Sequence, residues 1–163
     1  MASSIASVIL VKEYYDRGIR YITLCHGSDN DICDSSTDSR NPEDNGLSDF
    51  GKEVVAECNR LGIMVDVSHT SDKTFFDVLE MTKAPIIASH SSVRDLCDHP
   101  RNLSDEMIKA LASNGGVIQI CFVSSYVRSG HPPSASSKKE FLEALLLSFN
   151  FVGWLALSIY PQI

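Results

Sequence analysis

The apolar positions along the chain fall into two alternating textures. Four short runs, residues 20–25, 63–67, 85–89 and 117–122, are rich in Ile, Val and other β-favouring residues. Each is short enough to be a buried parallel strand. Between the runs, apolar residues recur at helical spacing. Residues 11–17 read as a helix stopped by Gly18. Ser48 is placed to cap a helix reaching Leu61, with Phe50, Val54, Val55, Cys58 and Leu61 as its apolar stripe and Gly62 as its stop. Ser71 caps the next, with Asp72 at the positive end of the helix dipole and Phe75, Val78 and Leu79 inward; Pro85 then starts a strand. Ser104, Asp105 and Glu106 open a helix holding Ile108, Leu111 and Ala112, and Gly115 closes it.

Alternation of strand and helix implies parallel strands joined by helical crossovers, and therefore an α/β fold. An open doubly wound sheet and an arc of a barrel both satisfy the pattern. Neither a G-x-G-x-x-G nor a P-loop is present, so a nucleotide-binding sheet has no support. Residues 29–45 form a polar loop that is long for a compact domain, and long ordered loops are often functional. At residues 128–137 the texture turns to Gly, Pro and Ser. This predicts a boundary, with a domain over 1–127 and a divergent hydrophobic tail over 128–163. Residues 144–160 carry no charge and just reach the lower length limit of a membrane span, although Ser148, Asn150, Gly153 and Ser158 interrupt them.

The length of 163 residues suffices for one domain with a substantial core. Lys and Arg total 14 against 21 Asp and Glu, a net charge of −7 that argues against nucleic acid as a partner. The cysteines Cys25, Cys33, Cys58, Cys97 and Cys121 are scattered and form no C-x-x-C pair. They read as buried free thiols in a reducing compartment. Residues 1–11 are apolar without a preceding positive charge, which is not a signal-peptide pattern, so a cytoplasmic location is expected.

Three histidines occupy matching places: His26, His69 and His90 each follow or end a predicted strand. In parallel α/β folds the carboxyl ends of the strands form the ligand-binding face. Neighbouring strands lie about 4.8 Å apart, so His69 and His90 are placed to share one metal ion. Polar strand ends bonded to loops give the same pattern. His99 and His131 lie in loops and read as solvated. Arg94 and Arg101 follow His90 in one loop and suit either a substrate carboxylate or ion pairs with Asp95 or Asp98. Asp66, in an apolar strand, is either a partner orienting a histidine or a backbone-bonded core residue. Ser91 and Ser92 lack a G-x-S-x-G elbow and are rejected as nucleophiles.

Residues 14–34 (YYDRGIRYITLCHGSDNDICD), 45–70 (NGLSDFGKEVVAECNRLGIMVDVSHT) and 84–102 (APIIASHSSVRDLCDHPRN) resemble the membrane (renal) dipeptidase family of zinc peptidases, in its bacterial-type wording, up to about Phe122. The resemblance implies a distorted (β/α)8 TIM-like barrel of the metal-dependent hydrolase type, holding two zinc ions and hydrolysing dipeptides. By motif position His69 and His90 correspond to ligands of the second zinc. His26 corresponds to the histidine contacting substrate and its tetrahedral intermediate, and Arg101 to the arginine binding the substrate carboxylate. Arg94 matches no family role.

The family's His-x-Asp ligands and its bridging glutamate, in an E-G-G-like motif, map before Met1. Its late aspartate maps beyond the match. The chain is thus expected to be a truncated piece, a partial barrel with half a metal site, weakly active or inactive alone. Glu13 lies in a helix away from the strand carboxyl ends and does not replace the missing carboxylate. A homo-oligomer or a complementing fragment is the expected partner, activity requires a partner that supplies the missing ligands, and membrane contact through the tail is the lesser expectation. The alternative function is a non-catalytic remnant or interaction module.

Overall fold

Three serines set where the helices begin. Ser48 accepts from Gly51 N at 2.8 Å, Ser71 from Thr74 N at 3.1 Å and Ser104 from Met107 N at 3.2 Å. Each hydroxyl satisfies an amide that the first helical turn leaves unpaired. The computed structural model describes residues 2–40, 42 and 44–127, with side chains from residue 8 onward. The elements run α1 (Ala2–Asp16), β1 (Tyr21–Thr23), α2 (Asp49–Leu61), β2 (Met64–Asp66), α3 (Asp72–Met81), β3 (Ile87–Ser91), α4 (Asp105–Ser113), β4 (Val117–Ile120) and α5 (Ser124–Val127). Gly18, Gly62 and Gly115 follow α1, α2 and α4 with positive φ, the backbone state that ends a helix cheaply only at glycine.

The four strands form one sheet in the order β1-β2-β3-β4, all parallel, as the crossover rule predicts. Consecutive helices pack on one another: α1 on α2, α2 on α3, α3 on α4. The core lies between helices and sheet. Leu24, Val65, Val67 and Ala88 meet Val54, Val55, Cys58, Phe75, Val78, Met107 and Leu111 there. Phe75 is fully buried. Burial of a side chain of that size stabilises by about 1.5–3 kcal/mol. Tyr21, Met64 and Val117 alternate onto the other face and stay exposed. Strands inside, helices outside and neighbours in chain order make this an α/β arc of the (β/α)8 type.

Local differences from the sequence expectation have identifiable causes. Helix α1 begins at Ala2 rather than near residue 11, because residues 2–10 lack the polar–apolar period that announces a helix. Strand β3 starts two residues late. Pro85 has no N–H, and Ile86 N donates to Asn114 Oδ1 at 2.8 Å, so the ladder opens at Ile87 and His90 sits inside the strand. All five cysteines are free and buried. Among the described residues no helix is long and apolar enough to cross a membrane. The boundary at 127/128, His131, the tail and the uncharged run at 144–160 lie outside the described residues.

Candidate metal centre

The site opens where strands β2 and β3 part. These strands share one register pair, Asp66↔Ile87. Beyond it side chains replace the main-chain ladder: Ser89 N donates to Asp66 Oδ1 and His90 N to Ser68 Oγ, each at 3.0 Å. A side chain between two backbones needs more room than a direct amide–carbonyl bond, so the strands separate at their carboxyl ends. His69 follows with φ at 79°, a left-handed value at a non-glycine residue. The polar loop at 29–45 holds it there. Ser36 N donates to His69 O at 2.7 Å, and Ser35 Oγ reaches both His26 O at 2.7 Å and His69 O at 3.4 Å. Ser35 N in turn donates to Asp29 Oδ1 at 2.6 Å.

Three predicted site residues come together here. The rings of His26 and His69 lie 4.0 Å apart between centroids, and those of His69 and His90 lie 4.8 Å apart. The Nε2 atoms of His69 and His90 face each other at 2.8 Å. His26 is exposed, His90 half-buried, and His69 only 8% exposed. Burial, then the Arg101 charge, pushes the His69 pKa down to about 4 and lowers that of His90. Both rings are therefore neutral near pH 7, the state that ligates metal. His69 Nδ1 is buried without a hydrogen-bond partner.

Asp66 proves to be more than a backbone-bonded core residue. It is 0% exposed and accepts from Thr23 Oγ1 at 2.7 Å, Ser89 Oγ at 2.5 Å, and Ser68 N and Ser89 N at 3.0 Å each. Ser89 Oγ also lies 2.8 Å from His90 Nδ1. Ser89 went unnoticed in the sequence, although its place directly before His90 in S-H-S-S was the available signal.

Arg101, the fourth predicted site residue, is 3% exposed and donates through Nη2 to His90 O at 3.2 Å. Its guanidinium lies 5.6 Å from the Tyr126 ring centroid. It makes no ion pair among the described residues, and its Nε is buried without a partner. Burial lowers its pKa. Two expectations nearby are corrected. His99 is half-buried rather than solvated: its ring lies 4.4 Å from Tyr126 and its Nδ1 accepts from Arg101 N at 3.1 Å, which braces the arginine. Arg94 pairs with neither Asp95 nor Asp98. It donates to both oxygens of Asp72 at 2.6 and 2.7 Å, and to Asn102 O at 2.9 Å, because its side chain crosses to the start of α3. Ser92 Oγ donates to the Cys121 carbonyl at 3.3 Å, in keeping with its rejection as a nucleophile. Glu13 is exposed on α1.

Among the described residues no three His, Cys, Asp or Glu side chains gather within metal-holding reach. Comparison with known proteins places the chain. The model of the membrane dipeptidase family, peptidase family M19, matches residues 2–159. An uncharacterized dipeptidase of Schizosaccharomyces pombe is 44% identical over 149 residues, 91% of this chain and 36% of that protein. A dipeptidase of Clonostachys rogersoniana is 47% identical over 114 residues, 70% of this chain and 29% of its own. The crystal structure of the probable dipeptidase PvdM from Pseudomonas aeruginosa superposes with a TM-score of 0.72 at 34% identity, covering 88% of this chain and 36% of that one. The chain thus spans about a third of the length of the curated relatives it matches. A family model matched along almost the whole sequence, on an arc of parallel strands that superposes on a dipeptidase structure, means that the chain belongs to the membrane dipeptidase family.

Proposed function

We propose that this chain carries part of the active centre of a zinc-dependent dipeptidase, which hydrolyses dipeptides to free amino acids. The family is one of metallopeptidases, which implies a bound metal ion. The residues present fit one. His69 is buried and His90 half-buried, both are neutral, and they turn Nε2 atoms toward each other at 2.8 Å, a donor pair suited to zinc. Zinc held by them would supply Lewis acidity and a water of lowered pKa.

The observation that carries the reading is the buried Arg101 guanidinium beside this pair, without an ion-pair partner among the described residues. A buried charge is stable only with a counter-charge, and a dipeptide's carboxylate provides one in bidentate geometry. Arg101 thus orients the substrate. His26, exposed beside His69, is the donor that stabilises the oxyanion developing on the scissile carbonyl. The free buried thiols suit a reducing compartment, and we place the protein in the cytoplasm.

A second reading, a non-catalytic module of the same barrel, is favoured by the two-histidine set, since a pair alone holds zinc weakly. The two readings meet in one expectation: the remaining ligands come from a polypeptide segment that bears the E-G-G-like and H-x-D motifs. Zinc calorimetry on the chain should give weak binding, reduced at least about tenfold by His69→Ala or His90→Ala. Dipeptide hydrolysis should be zinc-dependent only when a polypeptide bearing the E-G-G-like and H-x-D motifs is supplied. Arg101→Ala should then raise KM by about tenfold to a hundredfold. Zinc binding unchanged by both histidine substitutions would refute the metal assignment. Robust turnover by the chain alone, abolished by His69→Ala, would refute the incomplete centre.

A further inference from the structure

A histidine ligates through Nε2 only when that nitrogen carries no proton. The geometry points to Asp66 and Ser89 as positioning residues that hold the His90 proton on Nδ1, so that Nε2 is bare before any metal arrives. The inference rests on the zinc reading above only for its use, not for its geometry.

The donors around Asp66 leave one arrangement. Oδ1 faces the amides of Ser68 and Ser89, which can only donate. Oδ2 faces the hydroxyls of Thr23 at 2.7 Å and Ser89 at 2.5 Å. A carboxylate with four donors around it is ionised and accepts throughout. The single hydroxyl proton of Ser89 is therefore spent on Asp66. What Ser89 Oγ offers His90 Nδ1, 2.8 Å away, is a lone pair, so Nδ1 carries the proton. Nε2 of His90 is then an acceptor, and Nε2 of His69 at 2.8 Å is its donor in the metal-free chain. The two histidines are consequently unequal. His90 is preset for a metal, whereas His69 must move its proton to Nδ1, which has no partner. The link is a carboxylate–histidine pair of the kind that orients metal ligands, with a hydroxyl inserted.

Asp66→Asn tests this with almost no change of shape. The asparagine oxygen must take the Oδ1 place, where two amides donate, so its NH2 group faces both hydroxyls. Ser89 then accepts from Asn and turns its own proton to His90 Nδ1. The His90 proton is forced onto Nε2. Ring correlations in NMR of the full chain, labelled with nitrogen-15 at histidine and free of metal, read the tautomer. Wild type should show His90 protonated at Nδ1, and Asp66→Asn should show it at Nε2, with zinc affinity about 10–100-fold weaker. Ser89→Ala should lose the fixed Nδ1–H form and zinc affinity together, and Ser89→Thr should restore both, which decides the matter if Asp66→Asn does not fold. His90 protonated at Nε2 in wild type would overturn the inference. So would an Asp66→Asn chain that loses zinc affinity with the tautomer unchanged, since that is a structural effect only. Because the tautomer is read without metal or substrate, failure of the zinc reading shows separately, as zinc affinity indifferent to His69→Ala.

Discussion

His69 carries backbone strain that the polar loop maintains. Its φ of 79° is a backbone state that costs a non-glycine residue on the order of 1–3 kcal/mol. Its Nδ1 is buried and unpaired as well. Two such costs at one residue accord with the metal-facing role proposed for its side chain. We expect His69→Gly to leave the melting temperature equal or higher while abolishing zinc binding, read by thermal melts beside calorimetry. A marked fall in melting temperature would show that ring packing outweighs the strain. At this scale the sequence was legible where a place follows from position on a strand: His26, His69 and His90 all sit just where runs of apolar residues end, and their rings come together. It was not legible where partners come from elsewhere. Asp66 takes hydroxyls 43 residues before it and 23 after it. Arg94 passes over its neighbouring aspartates for Asp72, 22 residues back.

The starts of α2, α3 and α4 were read correctly because capping is local. Ser48, Ser71 and Ser104 cap within three residues of themselves. Ser104→Ala should therefore destabilise by about 1 kcal/mol, measured by urea denaturation. Contacts between elements were hidden, since they depend on three-dimensional neighbours such as the Asn114 side chain that delays β3. Gly51 shows what this means for substitution. A Cβ there would stand 2.1 Å from the Ile32 carbonyl oxygen, so α2 rests directly on the polar loop. Gly51→Ala should cost about 1–3 kcal/mol or more in denaturation. It should also weaken zinc binding, since the same loop clamps His26 and His69. Gly62→Ala, with φ of 75° and open space around it, should cost only about 1 kcal/mol and leave zinc binding intact.

Across the whole molecule, buried histidines tie stability to pH. Burial is the first cause depressing the pKa of His69, His90 and His99. In the unfolded chain a histidine titrates at about 6.5. Below that value the unfolded chain takes up protons that the folded one refuses, so stability is full above it and declines as the pH falls. For His69 the window extends down to about 4. Melting temperatures in chelator should fall from neutral pH into this range, and His69→Gln should flatten the trend; a level profile would contradict it. The parallel order of the sheet was legible at this scale because handedness leaves few alternatives. That order has a consequence for how the protein is made. Spatial sequence and chain sequence coincide, β1-β2-β3-β4. A ribosome therefore releases each strand beside the one already laid down, and domains fold as their segments emerge. His26, His69 and His90 are all synthesised before Arg101. In the centre proposed above, the nascent polypeptide completes the His69–His90 pair first, and acquires Arg101 only afterwards.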